Sequence, residues 1–97
     1  SMVDLPSVGK AAKQPDKVIQ VVIQKDERLE LVSDGKTDSA TLTSVAASVK
    51  NLIGQDGNTA VVISADRTVK YETVVKVMDS LQRAGVARVG LSVQLAP

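Results

Sequence analysis

The apolar positions of this chain change period along its length, and each change marks an element. In Ala65–Val93, Val74, Val77, Met78 and Leu81 recur at i, i+3, i+4 and i+7, the spacing of one helical face. Glu72, Thr73, Lys76, Asp79, Ser80 and Arg83 fill the rest of that cylinder. Glu72–Lys76 and Asp79–Arg83 are i,i+4 pairs in the favourable order, each worth about 0.2–0.5 kcal/mol. Gly85 suits the left-handed position that closes such a helix. Arg88–Val93 then reads as a strand, with Val89, Leu91 and Val93 on one face.

A second helical stripe runs through Leu42, Val45, Ala46, Val49, Leu52 and Ile53. Asp38 or Ser39 is expected to cap it, and Gly54 to end it. Between the two stripes, Thr59–Ser64 is short and almost wholly apolar, the pattern of a central, buried strand. Nearer the start, Lys17–Gln24 is β-branched, with Ile19, Val21 and Ile23 on one side and Val18, Gln20 and Val22 on the other. Both sides are largely apolar, which implies a strand covered on both faces or one paired with a partner. A charged turn, Lys25–Arg28, leads to a short strand over Leu29–Val32, and Ser33–Lys36 turns the chain again.

The predicted order is β-β-α-β-α-β, an α+β fold. Its small mixed sheet carries both helices on one face, because a right-handed crossover puts each connecting helix on the same side. The chain has few residues left to cover the other face. We therefore expect a second copy or a bound segment there, with the sheet edges as the dimer contact. Residues 1–16, with two prolines and no sustained period, read as a linker, and 17–97 as the domain. Within the linker, Val3–Pro6 has the alternative of an extended segment that pairs with something. Ser1–Met2 ahead of Val3 reads as an appended pair on an excised domain, with a preceding segment removed.

Composition narrows the chemistry. The 97 residues contain no cysteine, no histidine and a single aromatic, Tyr71, so the core must be aliphatic. Thiolate metal sites and disulfides are excluded, and the commonest base and metal ligand at neutral pH is missing. One aromatic and a net charge of +1 leave neither a base-stacking platform nor a field for nucleic acid. Gly85 and Gly90 have the spacing of a phosphate loop, but Leu91 stands where the lysine is required. Asp34–Asp38 alternates oxygens without the length or closing glutamate of a calcium loop. The hydroxyls of Ser39–Ser48 have no histidine to activate them. No catalytic, cofactor or metal residues are assigned, and an enzyme is not expected. Asp66, between a buried strand and a helix, is expected to anchor a turn. Tyr71, in the first helical turn, is expected to be half-buried with its hydroxyl reaching a loop.

Ala65–Asp66, Val69, Tyr71, the run Val74–Asp79, Leu81, Ala84–Gly85 and Val89–Leu91 together resemble the closing signature of the ExbD/TolR family. Val3, Asp4, Leu5 and Pro6 resemble the segment that follows the family's membrane anchor. Lys17–Asn58 is only loosely diagnostic, and within the family the helix looks closer to ExbD than to TolR. The resemblance implies a periplasmic domain held to the inner membrane by one N-terminal helix. That helix would work with ExbB-like subunits in a proton-motive-force motor. The motor would energise TonB and outer-membrane uptake of siderophores, haem or vitamin B12. The family's proton-responsive aspartate lies in the membrane helix, so none of the aspartates here takes that role. On this reading the domain is a homodimer that binds a TonB segment. Val89, Leu91 and Val93, with Val18, Gln20 and Val22, are the candidate interface, and Val3–Pro6 is a candidate switch. The TolR side of the family implies peptidoglycan binding instead, for which Ser44, Ser48, Asn51 and Arg67 are the surface polar groups on offer.

Overall fold

The computed structural model describes residues 2–4 and 14–92. Six strands and two helices follow in the order β1 (Met2–Asp4), β2 (Lys17–Ile23), β3 (Leu29–Ser33), β4 (Lys36–Ala40), α1 (Val45–Ile53), β5 (Thr59–Ala65), α2 (Tyr71–Arg83) and β6 (Val89–Ser92). The strands form one mixed sheet in the spatial order β1-β6-β5-β2-β3-β4. β2, β5 and β6 are mutually parallel, while β3, β4 and β1 are antiparallel to their neighbours. The expected α+β class, with a mixed sheet and two helices, holds.

Alternation divides the central strands cleanly. Ile19, Val21 and Ile23 of β2, Leu29 and Leu31 of β3, Val61 and Ile63 of β5 and Val89 of β6 are buried against the helices. The helices return Val45 and Val49 from α1 and Val74, Val77 and Leu81 from α2. This is an all-aliphatic core, as the lack of aromatics requires. The end of α2 is a Schellman motif: Gly85, at φ +85°, donates its N–H to Gln82 O at 3.0 Å, and Val86 N–H donates to Leu81 O at 3.1 Å. Val86 is itself buried, the hydrophobic contact that accompanies this closure. Both expected ion pairs on α2 are present, Lys76–Glu72 at 3.1 Å and Arg83–Asp79 at 2.9 Å.

Two sequence expectations are corrected. Lys36–Ala40 is a strand, not the approach to a helix. Asp34 and Gly35 both have positive φ, 51° and 74°, the geometry of the two-residue type I′ turn that Asp-Gly favours, so β3 and β4 form a hairpin. Consequently neither Asp38 nor Ser39 caps α1. Thr41 and Ser44 do so reciprocally, each backbone N–H donating to the other's hydroxyl, at 3.0 and 3.1 Å. Leu42, counted in the apolar stripe, falls in that turn and is exposed.

Candidate functional site

The helices leave the other sheet face uncovered by any described element. Val18, Gln20 and Val22 of β2, Glu30 and Val32 of β3, Val62 and Ser64 of β5 and Ser92 of β6 stand there by alternation. Val18 is 49% exposed. Gln20 Nε2 donates to Ser64 Oγ at 3.0 Å, a polar tie between two parallel strands. On one side of it lies a depression of about 270 Å³ lined by Val18, Val32 and Val62. On the other is one of about 480 Å³ lined by Val22, Asp66 and Ser92. The centre of this face is therefore valine methyls set around an amide–hydroxyl pair, with Glu30, Lys25, Asp34 and Asp66 as the charges around it.

The second feature is main-chain. β6 pairs with β5 on one side and with β1 on the other, Met2↔Ser92, Val3↔Leu91 and Asp4↔Gly90. Among the described residues, a three-residue strand is all that closes the β6 edge. Val89 is buried in the core and Leu91 is half-buried against it, so both side chains serve the helix-covered face. β6 thus offers an incoming segment its backbone more than its side chains. Val93, Leu5 and Pro6 lie outside the described residues. The opposite edge, β4, is polar along its length, with Lys36 and Asp38 as the charges that discourage unwanted pairing.

Asp66 lies where β5 gives way to α2. Its Oδ1 accepts from Thr68 N–H at 2.9 Å and Thr68 Oγ1–H at 2.6 Å, and its own N–H donates to Ile23 O at 3.1 Å. The Thr68 hydroxyl, followed by the Thr68 N–H, holds this carboxyl below the usual aspartate range. Because the folded value is depressed, its contribution to stability is complete above the ordinary value of 3.8 and fades as pH falls through the lowered one. A carbon-detected NMR titration should find Asp66 titrating below the ordinary value, and Thr68→Ala should return it upward. An unshifted midpoint in both proteins would contradict the bonded turn.

Tyr71 departs from expectation: it is 78% exposed, a ring in solvent at the first position of α2. The neighbouring tether comes instead from Thr73, whose hydroxyl donates to Glu27 in the β2–β3 turn. Ser44, Ser48 and Asn51 share one side of α1 by their i, i+4, i+7 spacing, while Arg67 belongs to the β5–α2 turn. Among the described residues, no group of His, Cys, Asp or Glu is placed to hold a metal. None of their helices is long and apolar enough to cross a membrane.

Fold and site together define a small helix-backed α+β domain whose accessible chemistry is a strand edge and a valine-rich sheet face. The chain belongs to the ExbD/TolR family of biopolymer transport proteins, whose family model matches residues 2–96. It is 33% identical over 90 residues to the biopolymer transport protein ExbD of Escherichia coli K12, covering 92% of this chain and 61% of that protein. ExbD of Pseudomonas putida matches at 33% over 91 residues, with the same coverage. The Tol-Pal system protein TolR of Pseudomonas aeruginosa is also 33% identical, over 99 residues and 68% of its length. The chain thus spans about three-fifths of the ExbD proteins it matches.

Proposed function

We propose that this chain is the periplasmic domain of an ExbD-like motor component, anchored in the inner membrane by a single helix outside the present sequence. Through that helix it works with ExbB-like subunits. Through this domain it dimerises and receives an extended segment of TonB, coupling the proton motive force to outer-membrane uptake of siderophores, haem or vitamin B12. The observation that carries the reading is the β6 edge, closed among the described residues by only the three of β1. A net backbone hydrogen bond is worth about 0.5–1.5 kcal/mol, so a longer segment offering more of them competes with so short a strand. In this reading Val3–Pro6 is the switch that holds or yields the edge. Val18, Gln20 and Val22 give the sheet face to a second copy, and Val89, Leu91 and Val93 complete the proposed interface.

Titrating a TonB periplasmic peptide into the labelled domain should shift the amides of Gly90–Ser92 saturably and release the pairing of Met2–Asp4. Saturable shifts confined to other surfaces, or none at millimolar peptide, would overturn the assignment of the edge.

A TolR-like role in binding peptidoglycan is the second reading, favoured by the equal identity to the Pseudomonas aeruginosa protein. Co-sedimentation of the domain with purified sacculi, alongside the peptide titration, separates the two.

A further inference from the structure

At the end of the sheet where β5 begins, the two helices finish side by side over a cleft of about 240 Å³. Ile53 and Val86 supply apolar wall, and Gly54, Gly57 and Gly85 keep side chains out of its mouth. A Cβ built on any of these three glycines meets nothing within 4 Å, so the opening is real space rather than a tight backbone approach. Thr59 lines the same cleft, is 4% exposed, and its Oγ1 is the one buried side-chain polar atom among the described residues without a hydrogen-bond partner.

That hydroxyl requires a reason. Every other residue of β5 up to Ile63 is aliphatic, and valine would fill the position with the same shape and no desolvated hydroxyl. The electrostatics give the reason a sign. α1, of nine residues, and α2, of thirteen, both direct their C-terminal ends here, where aligned peptide dipoles leave negative potential. Asp56 adds a carboxylate at the rim. Lys50, in the last turn of α1, is the single lining cation and is exposed. Lys17 Nζ, outside the lining, donates to Leu52 O at 3.0 Å and occupies the end of α1, leaving Asp56 and the end of α2 as the negative groups.

We propose that this cleft binds a primary ammonium group on a short aliphatic stem, the stem lying against Ile53 and Val86. The ammonium is held by Asp56 and the end of α2, with Thr59 Oγ1 accepting one of its protons. A lysine side chain of a partner and a small free amine share this chemistry. The site lies at the opposite end of the strands from Asp66, away from the β2–β5 depressions, and does not depend on the edge-pairing reading.

The test is an NMR titration of the labelled chain with n-butylammonium, with butyrate and butanol as anionic and neutral counterparts, and with acetyl-Ala-Lys-Ala-amide. Butylammonium, the lysine peptide or both should shift Gly54, Gly57, Thr59 and Gly85 saturably, while butyrate and butanol should not. Binding of the peptide alone marks a partner's lysine, and binding of butylammonium alone marks a small amine. Thr59→Val should weaken that binding about fivefold or more, with a melting temperature unchanged or raised. Equal response to all probes, no saturable shift with either amine, or a Thr59→Val protein that binds as well as the parent would overturn the proposal. So would a clear fall in its melting temperature, since the hydroxyl would then have an internal partner.

Discussion

Leu81→Ala is expected to cost about 2–5 kcal/mol, the largest stability loss of any substitution considered for this domain. Leu81 is fully buried, and its carbonyl also accepts the Val86 N–H that closes α2. The side chain therefore sits where the helix, its cap and the sheet meet, inside the aliphatic core. Ile63, Val61 and Val77 are each fully buried too, and all are β-branched with stiff χ1. A domain of this size has about 5–15 kcal/mol in total, so the variant should melt many degrees lower or be partly unfolded at 25 °C. Val75, six residues earlier on the exposed side of the same helix, is 42% exposed. Val75→Ala should change stability by no more than about 0.5 kcal/mol, since alanine's better helix propensity offsets the little burial lost. Urea denaturation of the pair checks both. Equal losses would mean that α2 faces the sheet differently.

Removing residues 1–4 should have the largest effect on binding, and little on the core. Three residue pairs of antiparallel ladder are lost, worth about 1–3 kcal/mol net. The described aliphatic core is built from β2, β3, β5, β6 and the two helices. Hydrogen exchange should rise at Gly90–Ser92 while the amides of β2 and β5 keep their protection. If β1 competes with an incoming strand, the shortened domain should bind the TonB peptide roughly tenfold more tightly, because about 1.4 kcal/mol of competition is gone. Unchanged affinity together with raised exchange at β6 would show that the edge opens but is not where the peptide binds.

The sequence was most readable where periodicity was strong. α2 followed from Val74, Val77, Met78 and Leu81 and from Gly85, and each sits as its spacing requires. β4 was hidden because Lys36–Ala40 is an edge strand, polar on both sides, and periodicity reports burial rather than strand geometry. The turn that announces it, Asp34–Gly35, was legible, and weighing it as a hairpin signal would have placed β4 correctly. Tyr71 misled for a different reason. Aromatic residues are usually half-buried, but the first turn of α2 takes its tether from Thr73 and Glu27 across a gap of 46 residues, which no local pattern encodes. The double apolar character of β2 implies a strand covered on both faces or paired with a partner, and no described element covers its second face; the Gln20–Ser64 tie there joins strands 44 residues apart. The buried Thr59 hydroxyl looked like an ordinary β-branched residue at the head of an apolar strand.

The parallel pairing of β2 with β5 has a temporal side. Lys17 lies beside Thr59, so the central contact of the sheet closes a loop of 42 residues (59 − 17). The hairpin of β2, β3 and β4 and the isolated helices can form from local contacts, but the sheet core cannot exist until β5 has left whatever machinery delivers the chain. In that interval the valines and isoleucines of both β2 faces are uncovered together. An emerging chain of this kind is most vulnerable to mispairing after its first third has appeared and before its last third arrives. The charged, polar β4 is then the only finished edge it presents.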